Sequence, residues 1–382
     1  MPAPLFDDVI TEILGFLHND HQTLKACTLT SRSWYLLSRE FLHTKLCVDS
    51  RCETRLEFYK NRPDLSGLIQ NLVIVLSVEG LCSKLENMHF PKLSTLYLNG
   101  SNGYGYNDNT LSGSLLDYFM KKPTLKRLYI KDTKLPIDRL VPFISSFPRL
   151  TSISLHCVSN AKETTDKHLD TCAQTKPVSA MKSLRHLRID SSSGSLALVQ
   201  FIQKLEVSPP IAYATLRIVP YRQWNRNIGD WFMHTVSSPT VKGIRLEERS
   251  RYTELQWTIE ENYFVDKYDK LRCVEFVPYD NKILPWVTVF LSGINFDSLQ
   301  RVVIFLPSIH KLIGNVVASE GCTALDQFLV GRKEILGDTF PEIYFPLSHS
   351  HRRVSSLASV FGVLREMLPL STAAGMIHLE YV

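Results

Sequence analysis

Phe90-Pro91-Lys92-Leu93-Ser94-Thr95-Leu96-Tyr97-Leu98 and Phe147-Pro148-Arg149-Leu150-Thr151-Ser152-Ile153-Ser154-Leu155 are two copies of one phrase. A proline that stops a helix is followed by apolar residues at positions i, i+3 and i+5. The last two are two residues apart, the spacing of a strand with one buried face. The phrase recurs as Ile69, Leu72, Ile74; Leu93, Leu96, Leu98; Leu125, Leu128, Ile130; Leu150, Ile153, Leu155; and Leu184, Leu187, Ile189. It continues as Tyr213, Leu216, Ile218; Val241, Ile244, Leu246; Leu271, Val274, Phe276; and Leu299, Val302, Ile304, with Leu325, Phe328, Val330 as a tenth copy. Successive starts lie 24 to 34 residues apart, which leaves room for a strand, a helix and two turns. A fixed period of this size marks a repeat array.

Apolar helical patterns fill the intervals at Leu111–Met120, Leu135–Phe147 and Leu196–Leu205. Strand, helical crossover and parallel strand at this period describe an α/β fold, an irregular leucine-rich-repeat solenoid with parallel strands over residues 49–331. One repeat cannot bury its own apolar face, whereas stacked repeats bury a continuous core. The array departs from regular ones in two ways. Its periods of 30, 32 and 34 residues exceed the usual 20–29, and Ser101, Thr133, Val158, Ser192, Tyr221, Arg249 and Tyr279 stand where an asparagine is usual. An ordinary α/β domain is the alternative reading. Ser101–Asn109, rich in Gly, Asn and Tyr, reads as a surface loop, and Val158–Ala180, without apolar periodicity, as an insertion. Beyond residue 331 the pattern fades, and 332–382 is expected to form a terminal cap with a helix near Val354–Leu368.

Between the two apolar residues of each strand one side chain points away from the core. In order these are Val73, Tyr97, Tyr129, Ser154, Arg188, Arg217, Arg245, Glu275 and Val303. The phase predicts Arg188, Arg217 and Arg245 in a row, flanked by Arg127, Lys131, His156, His186 and Arg301, beside an aromatic section of Tyr97 and Tyr129. Two expectations stay open. One is a groove for an acidic or phosphorylated segment of a target protein, gripped by bidentate arginines. The other is a solvated face on which Asp190 and Glu247 balance the charge.

The first fifty residues differ in kind. Val9, Ile10, Ile13, Leu14 and Leu17 recur at helical spacing behind Asp7 and Asp8, acids suited to a helix start. A second short helix is predicted from Asp20–Thr23 through Leu24 and Cys27, and a third from Ser31, an N-cap type, through Trp34, Leu37 and Phe41. So few residues rarely bury enough surface alone, so part of this apolar set must be covered by the rest of the chain or by another protein. The order Leu5, Asp8, Val9, Ile13, Leu17, Leu24, Cys27, Arg32, Trp34 resembles an F-box, in the form common among fungal F-box proteins with leucine-rich repeats. Phe6 stands where that family has proline, and Thr30 precedes Ser31 where the family usually has valine.

The resemblance implies a three-helix domain over residues 1–48 that docks on a Skp1-like adaptor and through it on a cullin. Leu5, Asp8, Val9, Ile13, Leu14, Leu17, Leu24, Cys27, Arg32 and Trp34 would form the contact set. It further implies a substrate receptor of an SCF-type ubiquitin ligase, with Tyr97, Arg127, Tyr129, Arg188, Arg217 and Arg245 facing the target. A free-standing repeat scaffold with a degenerate box is the alternative, and Phe6 is the feature that favours it.

Composition narrows the field. A net charge of +5 over 382 residues is too small to argue for nucleic acid. No run of eighteen uncharged apolar residues occurs, so no membrane span is expected. Without a basic leader at the N-terminus, the eight scattered cysteines are expected as thiols inside the cell, in cytoplasm or nucleus. His43, Cys47 and Cys52 are close in sequence but fit no common zinc spacing, so no metal site is expected. No nucleophile motif, phosphate loop or cofactor fingerprint is present, so a non-catalytic role without cofactor is expected.

Overall fold

A computed structural model describes residues 4–18, 20–49, 53–76, 81–85, 88–100, 110–122, 124–160, 181–190, 192–203, 205, 208–218, 240–248, 270–278, 285–294, 296–305, 320–347 and 357–381. The loop expected at 101–109 and most of the insertion expected up to 180 lie outside these residues. The chain divides into two compact units. The first is Met1–Ser183 with Lys204–Glu206, and the second is Leu184–Gln203 with Val207–Val382.

The first unit opens with helices α1 (Pro4–Phe16), α2 (His21–Cys27) and α3 (Arg32–Leu42). The starts of α2 and α3 are set by polar caps. The Asp20 carboxylate accepts from the Thr23 amide at 3.0 Å, and the Ser31 hydroxyl from the Trp34 amide at 3.4 Å. Ile10, Leu14 and Leu24 are buried at the centre of this bundle, with Leu17, Cys27, Trp34, Leu37, Phe41 and Leu42 packed around them.

A parallel sheet comes next. Its strands are β1 (Lys45–Val48), β2 (Asn71–Val75), β3 (Thr95–Asn99), β4 (Arg127–Lys131) and β6 (Ser152–His156). They pair in chain order. Short strands β5 (Lys134–Leu135) and β7 (Ser159–Asn160) form a separate parallel pair. Helices α4 (Glu53–Lys60), α5 (Pro63–Ser66), α6 (Leu81–Leu85), α7 (Gly113–Met120) and α8 (Ile137–Ser145) occupy the intervals.

The repeated phrase has a local cause. The Leu93 amide donates to the Phe90 carbonyl at 3.2 Å, Leu150 to Phe147 at 3.2 Å and Leu299 to Phe296 at 3.0 Å. Each turn buries its phenylalanine and sets the next leucine at the strand entrance. One carbonyl then accepts two consecutive amides of the following repeat. Gln70 takes Ser94 and Thr95, Ser94 takes Lys126 and Arg127, and Lys126 takes Thr151 and Ser152, at 2.8 to 3.1 Å. Thr133, Val158 and Ser192, standing where asparagine is usual in such arrays, are all buried.

The second unit is a parallel sheet of β8 (His186–Asp190), β9 (Tyr213–Ile218), β10 (Gly243–Glu248), β11 (Cys273–Val277), β12 (Arg301–Ile304), β13 (Glu342–Leu347) and β14 (Ile377–Tyr381), again paired in chain order. Its helices are α9 (Ser193–Gln203), α10 (Pro285–Ser292), α11 (Glu320–Leu336), α12 (Leu357–Met367) and α13 (Pro369–Ala373).

The structure corrects the sequence expectations in several places. Leu325, Phe328 and Val330 lie on helix α11, not on a tenth strand. The ladder continues instead through β13 and β14, where Phe340, Ile343 and Phe345 keep the spacing. Pro341 and Pro346 hid that copy, because proline inside a strand argues against one. β1 already belongs to the sheet, and residues 331–332 fall within α11. Val158 is buried and Ser159–Asn160 form β7, so the expected insertion does not begin at Val158.

The sixth copy of the phrase is out of phase. In β9 the core pair is Ala214 and Leu216, opposite Leu187 and Ile189 of β8. The leading apolar residue is Ile211, whose carbonyl accepts the Thr240 hydroxyl at 2.9 Å, as Leu93 accepts Thr124 at 2.8 Å. Alanine is too small to flag a core position, and Tyr213, which is exposed, carries the apolar signal in its place.

Candidate functional site

Helix α1 has two faces of different fate. Ile10 and Leu14 point into the bundle, while Val9, Ile13 and Phe16 remain 49%, 42% and 82% exposed. Their i, i+4, i+7 spacing lays these three along one stripe. After α2, Leu29 is 87% exposed. Burying a whole side chain of this kind is worth about 1.5–3 kcal/mol, so covering the exposed parts of Val9, Ile13 and Phe16 would contribute about 3–5 kcal/mol.

The expected adaptor contacts therefore separate. Asp8, Val9, Ile13 and Arg32 are exposed, and Leu17, Cys27 and Trp34 are half-buried against the bundle core. Leu14 and Leu24 are fully buried and hold the bundle together, so they are not surface contacts. Leu5 lies on α1, and its side chain is outside the described residues. Phe16 and Leu29, also exposed, fall outside the expected set, because helical periodicity marks an apolar residue but not whether its outer side is covered.

Polar contacts tie the bundle to α4 and α5. Arg39 pairs with Asp64, which Arg62 also holds at 3.1 Å. The Arg62 guanidinium keeps the Asp64 carboxyl down at about 2. His43 meets the Tyr59 hydroxyl at 2.8 Å, and burial, helped by Arg39, pushes the His43 pKa below its ordinary value. Cys47 lies on β1, and Cys52 is outside the described residues, among which no metal-ligating cluster forms around His43.

On the sheet of the first unit, Val73, Tyr97, Tyr129 and Ser154 stand side by side. Tyr97 and Tyr129 stack with ring centroids 4.3 Å apart and planes 8° from parallel. Lys45 and Arg127 occupy one flanking row and Lys131 with His156 the other, and Lys45, Arg127 and Lys131 are exposed.

On the sheet of the second unit the row of three arginines does not exist. Register places Arg188 beside Thr215 and Thr215 beside Arg245. Arg217 belongs to the next row, between Asp190 and Glu247. The cause is the two-residue phase shift in β9. Glu247, with only 5% of its side chain exposed, gathers all three guanidinium groups. Arg188 is at 2.6 Å, Arg217 at 3.0 Å and Arg245 at 2.8 Å. Burial raises the Glu247 pKa, and the arginines, Arg188 foremost, more than offset it and hold the carboxyl below its ordinary range.

Arg245 also reaches Glu275 at 3.0 Å and covers the Phe305 ring. Asp190 turns inward, accepting from the Ser192 amide at 3.0 Å and the Ser195 hydroxyl at 3.1 Å at the start of α9. Both Asp190 and Glu247 are buried, so neither is part of a solvated face. The cluster is compensated from within, which removes the premise of an arginine groove there.

Among the described residues no helix is long and apolar enough to cross a membrane. Compared with known proteins, the chain matches no protein-family model and none of the curated proteins.

Proposed function

We propose that the chain is a substrate receptor of an SCF-type ubiquitin ligase, an F-box followed by an irregular leucine-rich-repeat solenoid. The reading is carried by the exposed stripe of Val9, Ile13 and Phe16 on a small helical bundle whose own core is already complete. The exposed parts of these side chains add nothing to the fold, and exposed apolar patches of this kind mark protein contacts. It coincides with the stretch that resembles an F-box, whose partner is a Skp1-like adaptor and, through it, a cullin. The parallel ladder would hold a target protein, contributing proximity and no bond chemistry.

Within that reading the target-facing region moves to the first unit. Tyr97 and Tyr129 offer a stacked aromatic platform, with Arg127 and Lys131 exposed beside it. That chemistry suits an acidic or phosphorylated segment. In the second unit, Arg188, Arg217 and Arg245 are already engaged by Glu247.

Co-expression with a Skp1-type adaptor tests the proposal. The wild-type chain is expected to co-purify with it, and the double variant Ile13→Asp with Phe16→Asp to lose it while staying folded. Leu17 is unsuited to this test, because it packs against the bundle core. If the wild type fails to bind, the free-standing scaffold is the better reading.

A further inference from the structure

At the ends of β4 and β6 three side chains of metal-ligating type come together: Asp132, His156 and Cys157. One ligand atom from each lies within 4.8 Å of the others. The set spans two neighbouring repeats. Lys131 pairs with His156 in the ladder, so Asp132 and Cys157 occupy the same position one repeat apart, and the Asp132 amide donates to the His156 carbonyl at 2.8 Å. The spacing of 25 residues between Asp132 and Cys157 is one period of the array. No linear motif search finds it, because the fold supplies the proximity.

Two features set this corner apart. Among the described residues, Asp132 and Cys157 are the non-glycine positions with positive φ, each at 51°. A left-handed backbone is disfavoured for residues with a Cβ, above all outside Asn, Asp and Gly, and such outliers gather at functional sites. Here it occurs twice, at stacked positions, and both residues carry a ligand group. Second, the Asp132 Oδ2 is shut away from solvent without a hydrogen-bond donor, with the Lys131 ammonium 3.5 Å away as its charge partner.

The geometry points to a zinc site formed by the Asp132 carboxylate, the His156 imidazole and the Cys157 thiolate, with a fourth position left for water. The Cys157 Sγ lies 3.5 Å from His156 Nδ1 and 3.9 Å from Nε2. Zn–S of about 2.3 Å and Zn–N of about 2.0 Å at a tetrahedral angle put sulfur and the liganding nitrogen about 3.5 Å apart; the sulfur now sits between the two ring nitrogens, so a turn of the imidazole is needed to aim one of them at the ion. The Asp132 carboxylate, within 4.8 Å of the other two ligand atoms, closes the set by rotation of its side chain. Thiolate and imidazole select a borderline-soft ion such as zinc and disfavour magnesium or calcium, which need oxygen cages. Binding releases the Cys157 proton to solvent and displaces Lys131 from Asp132. The inference is independent of adaptor docking.

Cobalt(II) titration of the full-length chain, followed by zinc competition, tests it. One equivalent of Co(II) should give tetrahedral visible bands and a near-ultraviolet thiolate charge-transfer band, and zinc should bleach both. Cys157→Ser should abolish the charge-transfer band. His156→Ala should weaken affinity by about 100-fold, at least the loss caused by removing an outer partner of a bound ion. Cys27→Ser should change neither. On the wild type alone, zinc should slow alkylation of Cys157, read by peptide mass spectrometry, by about tenfold, since the bound thiolate is no longer the free nucleophile. A charge-transfer band that survives in Cys157→Ser, or alkylation of Cys157 unaffected by zinc, would overturn the assignment.

Discussion

Glu247→Gln removes one charge from the carboxylate that three arginines share. Breaking a buried ion pair by deleting one partner costs about 3–5 kcal/mol. Since Arg217 is 7% exposed and Arg188 38%, the loss concentrates on the Arg217 contact. We expect Glu247→Gln to lower stability by about 3 kcal/mol in urea unfolding, and Arg245→Gln, 35% exposed, by less than about 1 kcal/mol. The carboxyl is held below its ordinary value, so its contribution is complete above that value and is lost as pH falls through the depressed one. These residues also show what a sequence can and cannot disclose. Leu96, Leu98, Leu128 and Ile130 are legible as core because large apolar side chains mark the phase. Ala214 does not mark it, and one unmarked strand was enough to turn two arginines of one row and one of the next into an imagined line of three.

The same split appears on α1. Leu14→Ala should destabilise the bundle by about 2–5 kcal/mol, as large-to-small core changes do. Ile13→Asp should cost less, about 1–2 kcal/mol, because 42% of its side chain is already exposed. Both leucine and isoleucine were equally visible in the sequence. Only packing tells which of them serves the fold.

At the scale of elements, helix starts were the most legible feature, since Asp20 and Ser31 cap α2 and α3 with their own side chains. Caps supplied from elsewhere were not. Asp326, on α11 and buried, accepts the Leu370 amide at 2.8 Å and the Ser371 amide at 2.7 Å at the start of α13. The two partners are more than forty residues apart in the chain. Asp326→Ala leaves these amides without their acceptor and should cost about 1–3 kcal/mol, measured by chemical denaturation.

His43, at the end of α3, gives the first unit a pH response. Burial and the nearby Arg39 lower its pKa in the folded chain, while the unfolded chain titrates near 6.5. Between those values the unfolded state binds more protons, so stability is complete above 6.5 and declines as pH falls toward the folded value. The denaturation midpoint of the first unit should drop between about pH 7.5 and about pH 5.5. His43→Asn should flatten that slope, and an unchanged slope would show that His43 is not its source.

At the scale of the whole molecule, the period of the apolar phrase disclosed parallel strands paired in chain order within each unit. It did not disclose the break between units at Ser183/Leu184, because the phrase runs through it unaltered at Leu184, Leu187 and Ile189. Nor did it disclose β13, where prolines interrupt the signal, or β14. The proposed function rests on the first fifty residues, and there the structure adds a surface: an apolar stripe left partly uncovered on the helical bundle.

Calorimetric titration of the purified chain with a Skp1-type adaptor tests that surface most directly. We predict one-to-one binding with a dissociation constant of about 1 μM or tighter and a negative heat-capacity change from apolar burial, both lost in Ile13→Asp with Phe16→Asp. Binding that is undetectable in the wild type, or unaltered in the double variant, would contradict the account.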